Sequence, residues 1–569
     1  MEAVLSWRWV MSFPSMLAGL LALVPLLPGA GQGDLDRLFV EYREASRDLF
    51  PTQASEAGDH SRDDRWENPL SAEHRAAQAA LHRTFLERAE AVEREALDDE
   101  QRLNLDLFVH QRRAALAELA FPDHLLPLNP IDCGAWRFAS AGQGESFHPF
   151  ESVRDYENFL ARVDGFEAWC ESAIDDLQRG VEGGIVLPRP IAVRVLERLR
   201  EVGNVEPGAS DFRRPLERFP DNVSPDDRAR LTAAFEEAIE KRILPLYRML
   251  ARFVERDYVP RCRTTLGWSA LPDGPAWYAA LVSQYTTTAL TPEELFALGE
   301  REVARIGPAL LEAGKRADEA SPTLYATADE VAEAYRARLA LVRENLGALL
   351  DVAPRTKLEI RPNTVGTFYE PGAPDGSRPG VYWFSFDGPT TISEATFVHE
   401  AIPGHHYQMM LQRESNQPDF RKEGLSFAFI EGWGLYAESL GSELGLYRDP
   451  YQEYARLYSE MFRALRLVWD VGLHAKGWSF EDCARYAAPW GFTLADIRRE
   501  LERYVAWPAQ ALSYKTGELA IRALRDHART ELGEAFSLRE FHAFVLELGA
   551  VPLDILEREG ERWIAERRQ

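Results

Sequence analysis

The chain has 569 residues, 46% of them hydrophobic, with 14 Trp, 19 Tyr and 29 Phe, a content that supports a packed core and excludes a disordered polymer. A formal net charge of −26, with no extended run of Lys or Arg, excludes a nucleic-acid partner held through its phosphates. The length admits either several ordinary domains or one large helical body with a deep cleft.

Residues 1–31 stand apart. Arg8 precedes a mostly apolar run from Met11 to Leu27, followed by small residues in "PGAGQG", a signal-peptide pattern with a cut near Ala30 or Gly31. Pro14 and Pro25 interrupt the run and disfavour a stable membrane span of roughly 20 residues. No cysteine stands at the cut to carry a lipid. The expectation is an exported protein, periplasmic or secreted, with a retained N-terminal membrane anchor as the alternative. Cys133, Cys170, Cys262 and Cys483 are too scattered for a zinc ribbon or a disulfide scaffold; they read as bystanders, with one disulfide left open.

Residues 33–569 read as one helical domain, with a helical first part (33–350) and a second part (351–569) that carries the chemistry. Stretches such as "SAEHRAAQAALHRTFLERAEAVEREAL" and "DRARLTAAFEEAIEKRILPLYRMLARFVERDY" have the apolar spacing of amphipathic helices. In "LTPEELFALGEREVARIGPALLEAG", Thr291 and Glu294 predict a capping box, and Gly314 a C-terminal stop. The helical pattern breaks at residues 357–386, where aromatic and β-branched segments flank a Gly- and Pro-rich loop. That predicts a small β-ribbon, whose "GVYWFSF" strand offers an edge to an extended peptide. Everything after it is again helical. The expected fold class is mainly α with this one small ribbon next to the helix that follows.

That helix contains "TFVHEAIPGHHYQMML". His399 and Glu400 begin an H-E-x-x-H zinc signature, in which two histidines four apart share a helical face and the Glu polarises a metal-bound water. Pro403 stands where the second histidine belongs. In an unbroken helix His405 would point about 120° away from His399, and His406 would lie about 10.5 Å further along the axis, so neither could share an ion. Pro403 clashes with the carbonyl four residues back and forces the helix open. A bulge absorbing two residues, eased by Gly404, would bring His405 to the second ligand position. Glu431 in "SFAFIEGWGLYAESL", 26 residues beyond His405, supplies a third ligand, and Glu438, seven further on, a carboxylate to orient a histidine.

"HEAIPGHHYQ", "EGWGLYAE", "RLVWDVGLH" and "PAQALSYKTG", in this order, resemble a large bacterial domain-of-unknown-function family of the gluzincin metallopeptidase clan. More distantly the sequence is similar to thimet oligopeptidase and neurolysin, whose "HEFGH" aligns with "HEAIPGH" by a two-residue insertion. The resemblance implies a large helical ellipsoid with a deep active-site channel, one zinc ion and short peptides as substrates. Glu400 would be the general base, and Tyr514 or His474 the donor to the tetrahedral intermediate. Lys515 would hold a substrate carboxylate, although His474 equally fits a helical pair with Asp470. Two rival readings stay open: a non-catalytic peptide-binding relative, and a metal-dependent hydrolase of another amide.

Overall fold

The amphipathic stretches fold into the helices their spacing predicts, joined by short turns and a single three-stranded sheet, so the chain is mainly α. The computed structural model describes residues 32–568 except 145, 321, 374 and 425. The signal-peptide reading falls on residues 1–31 and lies outside the described residues.

Helix α1 (Val153–Gly183) anchors the largest apolar core. That core joins Phe138, Phe159, Phe166 and Tyr247 to Met461, Trp469 and Tyr504. A second core joins Leu103 and Tyr335 to Phe397, Trp433 and Trp563. Both cores thus mix residues from before and after position 350, because helices distant in sequence bury their apolar stripes against each other. The "DRARL…ERDY" stretch is a composite rod: α-helical at Pro225–Ala238 and Leu244–Phe253, with π-helical turns at Ile239–Ile243 and Val254–Tyr258.

Helix α2 (Gly274–Thr286) precedes α3 (Pro292–Asp318). The Thr291–Glu294 capping box forms as expected, but α3 runs through Gly314 and ends at Asp318. Gly314 has ordinary helical neighbours and needs no left-handed turn, so it interrupts nothing.

The ribbon is a sheet of β1 (Leu358–Asn363), β2 (Phe368–Glu370) and β3 (Gly380–Ser385) in the order β1-β3-β2, with β1 parallel and β2 antiparallel to β3. The "GVYWFSF" strand is therefore central and has no free edge. Its buried side chains claim the middle position, and β1 and β2 are the edge strands. Tyr382 of β3 packs edge-on against Phe397, seating the sheet on the helix that carries His399.

That helix, α4 (Glu394–Glu400), stops at the glutamate; α5 (His405–Arg413) starts afresh at the second histidine. Instead of a bulge inside one helix, residues 401–404 form a non-helical link between two. Next come α6 (Phe427–Glu438), α7 (Pro450–His474), α8 (Leu494–Ala506) and α9 (Ser513–Leu532). Helices α6 and α9 cross where Gly432 meets Gly517; a Cβ on Gly432 would stand 2.5 Å from the Gly517 Cα. Only a pair of glycines admits that approach.

All four cysteines are free thiols. Among the described residues no helix is long and apolar enough to cross a membrane. A surface cleft of about 730 Å³, lined by Leu103, Leu350, Gln412, Arg421 and Trp563, is bordered by none of the expected metal residues.

Candidate metal centre

His399 sits in the last turn of α4 and His405 in the first turn of α5, so the break between the helices turns the second ring toward the first. Their ring centres are 4.6 Å apart and nearly perpendicular. Gly404 lies in the link because the carbonyl of His399 packs onto it: a Cβ there would come within 1.9 Å of that oxygen.

Glu431 comes from α6. Its Oε2 lies 3.3 Å from His399 Nε2 and 3.4 Å from His405 Nε2. Donor atoms about 2.0–2.1 Å from a tetrahedrally held zinc stand about 3.3–3.4 Å from one another, so this set fits that ion. Behind it, Glu438 Oε1 accepts from His399 Nδ1 at 2.9 Å, which turns Nε2 toward Glu431. Ser459 Oγ of α7 donates to Glu438 Oε2 at 2.7 Å, and Arg463 stands 3.7 Å from Oε1.

The "EGWG" sequence does three jobs on this helix. Glu431 faces the imidazoles. Trp433, fully buried, donates its indole N–H to the Pro403 carbonyl at 2.8 Å. Gly434 makes room for His399: a Cβ would stand 2.8 Å from Cε1 and 2.9 Å from Nε2 of the ring.

Electrostatics tie the set together. Burial disfavours a charged His399, but hydrogen bonds to Glu431 and Glu438 outweigh it and push the imidazole up to about 9. Burial also works against the Glu431 carboxylate, yet the two histidines hold it well below the usual carboxylate range. Without a metal, a proton on Nε2 joins His399 to Glu431, and an ion bound there would take that proton's place.

Glu400 brings a carboxylate to the same place: ligand atoms of His399, Glu400 and His405 lie within 4.8 Å of one another. It is distinguished from Glu431 by its partner. The backbone N–H of Tyr369, on the edge strand β2, donates to Glu400 Oε2 at 3.1 Å. The Tyr369 hydroxyl in turn meets His406 Nδ1 at 3.0 Å. Buried His406, pushed down to about 4 by that burial, belongs to this support and not to the ligand set.

Tyr514 lies beside the histidines: its ring stacks on His399 with centres 6.1 Å apart and planes at 18°. Burial and Glu431 raise its pKa, against the pull of Arg466 and Arg503.

His474 is not brought into the cluster. It ends α7, fifteen residues beyond Ser459, or about 22 Å along the axis. Its Nε2 meets the Tyr504 carbonyl at 3.0 Å and its ring stacks on Tyr278. The expected Asp470–His474 pair does not form either, because Asp470 accepts from Tyr278 Oη at 2.6 Å and from the Ala509 N–H at 3.1 Å. Lys515 is also withdrawn. Wholly buried, it lies 2.9 Å from Glu518, 3.1 Å from Glu302 and 3.2 Å from Glu460, an internal ion cluster with no room for a substrate carboxylate.

Sequence reasoning missed Tyr369, Ser459, Arg463 and Gly434. The last was findable, since "EGWG" puts a residue without a side chain three positions after the ligand, on the face a bulky partner must approach.

The chain belongs to DUF885, a family of bacterial proteins of unknown function, which it matches over residues 51–559. Among curated proteins no match was found. Two solved structures share its fold, and each is described as a "putative lipoprotein". The one from Colwellia psychrerythraea is 24% identical with a TM-score of 0.85, covering 94% of this chain and 99% of its own. The one from Shewanella oneidensis, of unknown function, is 18% identical with a TM-score of 0.69, covering 92% and 99%.

Proposed function

We propose that this protein is a zinc-dependent peptidase of the gluzincin type, acting on short peptides. One observation carries the reading: His399 Nε2 and His405 Nε2 converge on one oxygen of Glu431 at the separations of a tetrahedral ligand set, with Glu438 orienting the first imidazole. Zinc bound there supplies Lewis acidity and lowers the pKa of a water molecule.

Every other role belongs to the chain. Glu400 takes the proton from the attacking water at its free carboxylate oxygen, while Tyr369 N–H holds Oε2 in place. The Tyr514 hydroxyl donates to the oxyanion as the scissile carbonyl becomes tetrahedral. The edge strand β2 runs beside Glu400, a placement that suits an extended peptide better than a compact small amide. The way both structural relatives are described supports export to the cell envelope.

The test is metal analysis joined to peptide hydrolysis. Purified protein should hold close to one zinc per chain and cut a mixed peptide library in a chelator-sensitive manner. Glu400→Gln should keep the zinc and lose activity by about 10²–10⁴-fold, since an amide cannot take the water's proton. Unchanged activity in that variant, or folded protein with no zinc above background, would overturn the reading.

A further inference from the structure

Beside the ligand residues lies a cationic cluster that the reaction as described leaves unused. The guanidinium of Arg466, on α7, covers the face of Tyr514 at 4.1 Å from the ring centre. Its Nε donates to Tyr504 Oη at 3.0 Å and its Nη2 to Glu500 Oε2 at 3.3 Å. Its Nη1 is buried and has no hydrogen-bond partner among the described residues. Arg466 as a whole is 8% exposed.

Arg503, from α8, leans on the same Glu500 oxygen through Nε at 3.2 Å and Nη2 at 3.0 Å, and donates Nη1 to Gln510 Oε1 at 2.7 Å. Its side chain is more open, at 22%. Two guanidiniums therefore share one carboxylate. The other anion facing Arg466 is Glu431, which is engaged with both ligand histidines. A buried guanidinium nitrogen without an acceptor is unfavourable, and a planar carboxylate is the group whose geometry matches its fork.

We propose that Arg466 and Arg503 form an anion subsite that takes the free C-terminal carboxylate of a peptide, making the enzyme a carboxypeptidase that releases one or two residues. The inference rests on the peptidase reading above. The reach sets the number: Tyr514 bridges His399 and Arg466, so the guanidinium carbon is no more than about 10 Å from the His399 ring, and an extended chain covers about 3.3–3.6 Å per residue. The carboxylate carbon itself stands about 4 Å from a guanidinium carbon it pairs with, so only one or two residues fit between the scissile bond and the subsite. An acidic side chain in mid-peptide would place its carboxylate off this line.

The experiment compares one Ala-rich hexapeptide ending in a free carboxylate with the same peptide ending in a carboxamide, using the full chain loaded with zinc. Mass spectrometry of the carboxylate reaction should show loss of one or two C-terminal residues. kcat/KM should favour the carboxylate by about 100-fold, the scale of a charge-assisted bidentate contact. In Arg503→Gln and in Arg466→Lys, each checked for one bound zinc, that ratio should fall at least about tenfold. Titration calorimetry on Glu400→Gln should give the same preference without turnover. Chelator-sensitive cleavage that ignores the C-terminus, or a ratio unmoved in both variants, would overturn the subsite while leaving the peptidase reading intact. Absence of cleavage of both peptides, with no binding to Glu400→Gln, would remove the two together.

Discussion

The indole N–H of Trp433 donates to the carbonyl of Pro403 at 2.8 Å, tying the helix that carries Glu431 to the link that separates His399 from His405. Both groups are buried, so the bond anchors the link to α6. Trp433→Phe removes the donor and leaves the Pro403 oxygen unsatisfied, at a cost of about 1–3 kcal/mol. The expected outcome is a folded protein whose zinc affinity falls by about 10–100-fold, the usual range for partners behind a ligand, measured by competition with a chromogenic chelator. Unaltered affinity would mean that the link holds its shape without this anchor.

The two adjacent histidines should behave differently. His405→Ala removes an imidazole 3.4 Å from Glu431 and should abolish stoichiometric zinc. His406→Ala removes the partner of the Tyr369 hydroxyl and should keep the zinc while lowering kcat, because β2 then holds Glu400 less firmly. His406→Gln, whose amide can still accept from Tyr369, should recover part of the loss. Metal content by mass spectrometry separates the cases; zinc lost from His406→Ala but retained in His405→Ala would reverse the assignment.

Lys515 is a matter of stability, not of substrate. Replacing it by Met leaves Glu302, Glu460 and Glu518 gathered without their shared cation, although Arg305 still reaches the first two and Arg522 the third. Breaking such a buried set by removing one partner costs about 3–5 kcal/mol. Thermal unfolding of Lys515→Met should show a markedly lower midpoint, and a midpoint within a degree of the wild type would contradict the cluster's cohesion.

Asp470 gives the chain a defined pH dependence. Burial pushes its carboxyl up to about 7, against the hydrogen bonds from Tyr278 and Ala509. A carboxyl whose folded pKa is raised binds its proton more tightly in the native state than in the unfolded chain, where it titrates near 4. Its stabilising contribution is complete below about pH 4 and is lost as pH rises toward 7. Asp470→Asn keeps acceptor and shape but does not titrate. The variant should therefore gain stability relative to the wild type as pH increases across that window, read as the difference in denaturation midpoints at pH 5 and pH 8. A constant difference would show that Asp470 does not protonate.

What the sequence by itself determined is local and periodic. Apolar spacing specified the helices, Thr291 and Glu294 specified a cap, and Pro403 announced a break after His399, because these signals act within a few residues of chain. The spacing of His399, His405, Glu431 and Glu438 was legible for the same reason: each lies near the end or middle of a short helix whose neighbours are close in sequence. Tertiary structure alone decided which strand is central, since the order β1-β3-β2 depends on which side chains are buried against α4. It also decided the fates of Lys515 and His474. One residue after Tyr514, Lys515 turns by about 100° on the helix and meets glutamates from α3 and α7, while His474 is carried some 22 Å away by the straight rise of α7. Helix periodicity says which residues share a face; only the packing of distant helices says what that face meets, and that is where the metal residues, the arginine pair and the buried ion cluster part company.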